Sequence, residues 1–463
     1  MYKEKLQAYF ETHKEEILKD ISDVCAIRSV REDAKEGMPF GEGCHKALMH
    51  TMDLAKSLGL FVRNFDGYVM TADINDKPSK LAILAHLDVV HEGKDWTVCK
   101  PYEPVIKDGR IYGRGTADDK GPAVMALWAL KAVKDLGIEL SSNVRVILGT
   151  DEECGSSDLA YYSKIEEYPP MSFSPDSSYP VTNIEKGGLS SVFESEFEES
   201  TALPRVISIK GGNAGNIVPQ ECEIILEGIS LKDAEKYFKV SDVKYTAEEK
   251  EGKLHILVTG QSAHASTPHL GVNAVTAAVE TVCSMPLAPC QGLEALKGLS
   301  SLIPHGDFLG KALGVAQKDD LSGELTLNLG VFEYTLTKMT GKIDSRAPIC
   351  ANEDNMSKIV YGKMAEKGII LANTKMRKPH HTPADCEFVK TLNSVYEDYS
   401  GKEGGCVAIG GGTYVHNIEG GVAFGCSMPG TENNMHGPDE SAVIDELMMS
   451  GCIFADVIIK LCK

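Results

Sequence analysis

Three short apolar runs, each breaking into acids or an imidazole at its carboxyl end, constrain this chain more than any other feature. LAILAHLDVV (81–90) is almost continuously apolar, and NVRVILGTDEE (143–153) and MSFSPD (171–176) repeat the pattern. Such runs are buried on both faces of a parallel sheet, because crossover helices cover them on either side. PAVMALWALKAVKDLG (122–137) has the composition of one such helix, with Gly137 as its C-terminal stop. Strand, helix, strand, helix, strand predicts an α/β layer with a mainly parallel sheet flanked by helices. His86 and Asp88 then end one strand, Asp151, Glu152 and Glu153 the next, and Asp176 the third. That is the carboxyl edge, where open α/β sheets bind ligands.

The flanking segments read differently. Leu6, Phe10, Ile17, Ile21 and Val24 recur at helical spacing and predict one or two opening helices. From about Lys186 to about Pro379, the strand-like pieces CEIILEG, KLHILVTG, ELTLNLGVFEYT and KMTGKIDSRAP alternate with helical ones near 231–239, 271–284 and 352–367. This predicts an inserted α+β unit at 186–379, after which helix and short strand resume. Residues 1–185 and 380–463 are therefore expected to build one domain around the insert. Within the insert, strand-helix sets around 204–260 and 324–367 suggest an internal duplication. A chain of 463 residues has material for two or three packed units.

Composition excludes several partners. With 47 Lys and Arg against 67 Asp and Glu, the formal charge of -20 repels nucleic-acid phosphates and anionic lipid over most of the surface. The N-terminus MYKEKLQAYFETHKEEILKD lacks an apolar core of signal-peptide length, and the longest uncharged apolar run, Ala123 to Leu130, is far short of a membrane span. Thirteen cysteines, an odd number without a CxxC pair, indicate free thiols rather than a disulfide framework. A soluble, cytoplasmic protein is expected. Cys154, next to Glu153, is the thiol whose position could make it sensitive to oxidation or heavy metals, although a small space-filling role explains it more simply.

His86, Asp118, Glu153, Asp176 and His436 are imidazoles and carboxylates at strand or loop ends, a donor set suited to zinc or another borderline divalent ion. Five such ligands, one of them bridging, would hold two ions. Taken singly, each is more simply a cap or turn residue, and it is the combination, with a second acid beside Glu153, that points to metal. The glycine-rich strings lack GxxxxGK[ST] and do not match a dinucleotide fingerprint, so no nucleotide loop is expected. His91, His269, His305 and His416 read as structural or surface residues, and His380 and His381 as neighbours in an extended strand, pointing to opposite faces.

HLDVV (86–90), GRGTADDKGP (113–122), DEECGS (151–156), SPD (174–176), SAHAST (262–267) and MHGPDE (435–440) together resemble the motifs of the aminoacylase, glutamate carboxypeptidase and succinyl-diaminopimelate desuccinylase superfamily. The length of the insert and the wording of GRGTADDKGP are most similar to the PepV-type dipeptidases. The resemblance runs through essentially the whole chain in order. It implies that His86 and Asp176 bind one metal, that Glu153 and His436 bind the other, and that Asp118 bridges both with a water or hydroxide. Two divalent ions per chain are implied, zinc first, with manganese or cobalt as alternatives. Glu152 takes the part of general base. Asp88 is expected to accept a hydrogen bond from the second imidazole nitrogen of His86 and fix its tautomer. Asp119 follows the bridging acid through a cis peptide in similar proteins.

The same resemblance makes residues 1–185 and 380–463 a catalytic domain and the insert a lid. His264 corresponds to the lid histidine that stabilises an oxyanion, Asn216 and Arg346 to substrate-holding positions, and Arg346 could pair bidentately with a free C-terminal carboxylate. Gly411 and Gly412, in AIGGGTY, could bring backbone donors to the same group, though a tight turn explains them nearly as well. The implied activity is hydrolysis of dipeptides or very short peptides. Hydrolysis of an N-acyl or N-succinyl amide on the same scaffold is the nearest alternative, and an inactive metal-binding scaffold the more distant one. Shorter relatives borrow the lid histidine from a second chain. A duplicated lid could replace that partner, so a monomer is expected, with hinges near Glu185–Gly188 and His380–Pro383.

Overall fold

The computed structural model describes residues 2–463. Contacts divide the chain into two units: Met1–Ile184 with His381–Val407 and Gly412–Lys463, and Glu185–His380 with Ala408–Gly411. The second unit thus interrupts the first in sequence.

The first unit is built on a nine-stranded sheet. Its centre is parallel: Asn143–Gly149 pairs with Ser79–His86, which pairs with Met171–Ser174, which pairs with Val422–Ala423. Phe61–Phe65 and Val69–Asp73 extend one side in antiparallel fashion. The continuous apolar run of the central strand follows from two-sided burial. Leu81, Ile83 and Ala85 enter the main core, whereas Ala82 and Leu84 pack with Ile147, Tyr162 and Tyr414 on the opposite face. Each fully buried leucine or isoleucine contributes roughly 1.5–3 kcal/mol.

Helix Lys120–Asp135 lies in that main core and packs against the C-terminal helix Ile444–Cys462. Its alanines permit the close approach, and Trp128 finds a partner for its indole N–H in Asp20 at 2.9 Å. Gly137 ends it at φ +65°, a conformation that glycine adopts without steric cost.

The second unit carries an eight-stranded sheet, and all of its pairings are antiparallel. Strand Ser190–Glu196 alternates exposed and buried residues, as one-sided burial requires. Helices Ala274–Ser284, Gln291–Leu302 and Lys358–Glu366 contribute to the core that its inward side chains form. Asn273 caps the first helix, its side chain accepting the N–H groups of Val275 and Thr276 at 3.0 Å each. Helix Gln291–Leu302 is not apparent in the sequence, because Gly292 and Gly298 weaken its helical pattern. Gly292 is set by packing: a Cβ there would lie 2.2 Å from the Tyr334 hydroxyl. The two strand-helix sets share one sheet, joined where Arg205–Gly211 pairs with Thr326–Tyr334.

Among the described residues, no helix is long and apolar enough to cross a membrane. All thirteen cysteines are free thiols.

Candidate dinuclear metal centre

The carboxyl ends of the parallel strands deliver the site. His86 is the last residue of its strand, Glu152 and Glu153 lie in a single helical turn just past Gly149, and Asp176 follows Ser174. Gly149 is the only residue type that fits at this edge, since a Cβ would sit 2.1 Å from the Tyr414 hydroxyl and 2.2 Å from an Asp158 carboxylate oxygen. That carboxylate accepts the N–H groups of Thr150 and Asp151 at 2.6 and 2.9 Å and so shapes the turn that carries Glu152 and Glu153.

Two triads share one carboxylate. His86, Asp118 and Asp176 form one group, and Asp118, Glu153 and His436 the other, with donor atoms within 4.8 Å of one another in each. Asp118 Oδ1 lies 2.9 Å from His86 Nε2, and Asp118 Oδ2 lies 2.9 Å from His436 Nε2. His436 Nε2 is 3.1 Å from Glu153 Oε1, and His86 Nε2 is 3.7 Å from Asp176 Oδ2. Glu152 joins neither triad. The Asp118–Asp119 peptide is cis, and Asp119 Oδ2 accepts the His86 N–H at 3.1 Å.

The donor set fits divalent cations on three observations. His86 Nε2 is buried without a hydrogen-bond partner although two carboxylates surround it. Burial, followed by the charge of Asp118, pushes Asp176 up to about 7. Burial likewise raises Glu152 well above the carboxylate range, with His86 opposing and Asp176, Glu153 and Asp118 adding. A pocket that holds this many acids out of water needs compensating positive charge. Hydrogen bonds to Asp118 and then Glu153 raise His436 to about 11, so without metal it carries a proton where a ligand offers a lone pair.

The Asp88 carboxylate is placed otherwise than the sequence suggests. His86 Nδ1 lies 3.0 Å from the Asp88 main-chain oxygen and 3.5 Å from its Oδ1, so the nearer partner is the backbone. The two carboxylate oxygens instead accept the N–H groups of Glu152 at 3.2 Å and Glu153 at 3.1 Å. A strand-end turn brings those amides within reach, and a carboxylate satisfies two orphan donors better than one imidazole N–H. Asp88 thus fixes where both glutamates start.

Sequence reasoning missed Glu440 and Arg114. Both are essentially fully buried, and they pair at 2.5 Å. Glu440 Oε1 accepts the N–H groups of Gly115, Ala117 and Asp118 at 3.0, 3.1 and 3.2 Å. Burial and then Asp118 push its carboxyl up to about 7 against the pull of Arg114, yet three amides and a guanidinium form a cradle for the ionised form. Arg114 also reaches the Gly437 carbonyl at 3.2 Å and stacks 5.4 Å from the Trp96 ring. His436 and Asn434 adopt left-handed backbone, at φ +64° and +51°, which non-glycine residues rarely hold without support. Arg110, bonded to the Glu432 carbonyl at 2.6 Å and the Asn433 side chain at 3.1 Å, supplies more of it. Both missed residues lie inside motifs quoted above, but nothing in an isolated acid or arginine tells a buried pair from a solvated turn.

Cys154 is exposed, and burial of its sulfur followed by the charges of Asp88 and Asp151 pushes its thiol up, away from reactive thiolate.

Within the second unit, Asn216, His264, Arg346 and Gly411 come together. The Val218 N–H donates to Ala263 O and the Ala265 N–H to Asn216 O, each at 2.8 Å, which sets Asn216 and His264 side by side. Arg346 donates to Gly410 O at 2.6 Å and pairs with Asp344 at 2.7 Å. A Cβ on Gly410 would meet the Ser266 Cβ at 2.6 Å. His264 Nδ1 lies 2.6 Å from the Ser266 hydroxyl and 3.2 Å from the Ser266 N–H, which leaves Nε2 as the other ring nitrogen. Gly412 falls with the first unit.

The model of peptidase family M20/M25/M40 matches residues 82–460. A Bacillus subtilis (strain 168) protein, YtjP, whose name assigns it provisionally to the dipeptidases, is 35% identical, covering 97% of this chain and 98% of its own. A protein of Lactobacillus delbrueckii subsp. lactis named Beta-Ala-Xaa dipeptidase is 32% identical, covering 98% and 97%. Among solved structures, human carnosine dipeptidase 1 aligns with a TM-score of 0.60 at 15% identity, covering 100% of this chain and 99% of its own. The di-peptidase Dug1p of Saccharomyces cerevisiae aligns with a TM-score of 0.58 at 13% identity, covering 99% and 98%. At those identities the structures share the fold.

Proposed function

The chain belongs to peptidase family M20/M25/M40 and is a metal-binding hydrolase, and on that basis we propose that it cleaves dipeptides or very short peptides at a two-metal centre. The observation that carries the reading is Asp118, whose two oxygens each face the imidazole of a different triad. His86 and Asp176 would hold one ion, Glu153 and His436 the other, and Asp118 would serve both. When bound, such ions polarise the scissile carbonyl and make water a competent nucleophile at neutral pH. Zinc suits this mixture of imidazole and carboxylate, and manganese or cobalt would serve the same ligands.

Glu152 is the proton carrier of the reading. It stands outside both triads, so its carboxylate would be free to take a proton from the attacking water and pass it to the leaving amine. Asp88 keeps it in position through the two amides. His264 would donate a ring N–H to the oxyanion. Asn216, Arg346 and the glycines 411 and 412 hold the substrate, Arg346 through the peptide's terminal carboxylate. The residues 1–185 with 380–463 serve as the catalytic domain and 186–379 as its lid, in a monomer that uses its own His264. Free thiols and the excess of acid fit work in the cytoplasm on small peptides.

The test is a panel of dipeptides against N-acyl and N-succinyl amino acids, run after chelation and after return of zinc, manganese or cobalt. Dipeptides should be cleaved, and only with metal. Turnover confined to the acyl compounds would replace the dipeptidase reading with a deacylase, and none with any substrate would leave a binding protein.

A further inference from the structure

A cleft of about 510 Å³ in the second unit has a charge opposite to that of the chain as a whole. Two rows of alternate residues line it. In strand Lys338–Arg346, Met339 and Ile343 are fully buried in the core, which turns Lys342, Asp344 and Arg346 to the other face. In the segment beside it, Met376 is buried in the same core, and Asn373, Lys375 and Arg377 line the cleft. Backbone bonds between Gly188 and Arg377, at 2.7 and 2.9 Å, hold this segment in place.

Asp344 is the only acid in the lining, and it is engaged by Arg346 at 2.7 Å. Among the described residues, Lys342 and Lys375 have no carboxylate partner within ion-pair distance. The Arg346 Nε is buried without a hydrogen-bond partner. Like charges gathered in a concave site repel one another and are stabilised by an anion. In a chain of net charge -20 such a concentration does not arise from composition.

We propose that this cleft takes a second carboxylate, so that favoured substrates carry an acidic side chain on the residue whose terminal carboxylate Arg346 holds. The assignment rests on the dipeptidase reading for its reaction but not for its binding. Lys342 and Lys375 are specificity-determining residues in it. A neutral side chain of the same shape leaves both ammonium groups without the charge they face, so Ala-Glu is discriminated from Ala-Gln by charge alone.

Two measurements on the metal-loaded protein test this separately. First, L-glutamate, L-glutamine and inorganic phosphate are titrated by calorimetry. Glutamate should bind at least about fivefold more tightly than glutamine, the ratio that one or two partly exposed ion pairs supply. Equal affinities, or phosphate binding more tightly than glutamate, would overturn the assignment. Second, kcat/KM is compared for Ala-Glu and Ala-Gln. The ratio should favour Ala-Glu to a similar degree and fall toward unity in Lys342→Met and in Lys375→Met. Because it is a ratio within one protein, partial misfolding does not imitate its collapse. If both variants keep the wild-type ratio, the lysines are not the determinants and the proposal fails. If glutamate binds selectively while no dipeptide is cleaved, the dipeptidase reading fails and the anion cleft stands.

Discussion

The side chain of Glu440 accepts the backbone N–H of Asp118 at 3.2 Å, which ties the segment carrying His436 to the residue shared by both triads. The same oxygen holds Gly115 and Ala117, and the other oxygen neutralises Arg114. One buried carboxylate therefore fixes the loop of one triad residue from the loop of another.

Glu440→Ala should lower the unfolding free energy by about 3–5 kcal/mol, because it leaves the Arg114 charge buried and alone. Urea denaturation of the metal-free protein measures this directly. In the fraction that folds, affinity at both metal sites should fall together. A variant of wild-type stability and metal affinity would refute the positioning role.

Glu152→Gln should retain two ions per chain and lose at least about 100-fold in kcat. Elemental analysis and steady-state kinetics on one preparation are sufficient. Loss of an ion would make Glu152 a ligand rather than the proton carrier.

Asp118→Asn should weaken both sites at once, since each oxygen serves a different imidazole. Titration of the metal-free variant with zinc would show it. One site left at wild-type affinity would show that Asp118 does not bridge.

Metal binding should release protons and weaken as the pH falls. His436 is raised to about 11 by its acid neighbours, so at neutral pH the metal-free ring is protonated and each ion must displace a proton to reach its lone pair. His86 is raised as well, its acidic neighbours outweighing burial. Calorimetry near pH 7 in buffers of different ionisation enthalpy should report about two or more protons released per chain. No release would show that the imidazoles are already neutral.

A C-terminal amide should cost most of the activity on a dipeptide, and tetrapeptides should be poor substrates, if Arg346 holds the terminal carboxylate. A mixture of His264→Ala and Glu152→Ala variants, each inactive alone, should stay inactive. Restored activity would mean that the histidine is donated between chains.

The sequence determined the α/β layer and the strand ends that carry acids and an imidazole by itself, because both are written locally. Two-sided burial leaves a continuous apolar run such as Leu81 to Ala85, and the chain beyond it must present its next polar residues, His86 and Asp88, at the sheet edge. Gly137 marks a helix end for an equally local reason. What no local pattern encodes is which polar atoms meet across long stretches of chain. Glu440 lies 322 residues from Asp118, and its burial depends on Arg114 and three amides arriving at the same place. Asp88 sits two residues from His86, yet its carboxylate turns to amides 64 and 65 residues away because the turn after Gly149 brings unsatisfied donors closer. Helix Gln291–Leu302 carries two glycines that its own propensity disfavours, and one of them, Gly292, is required by the Tyr334 hydroxyl. Periodicity records which face a residue buries, whereas hydrogen-bond partners are chosen by distance in space, and only the tertiary structure sets that distance.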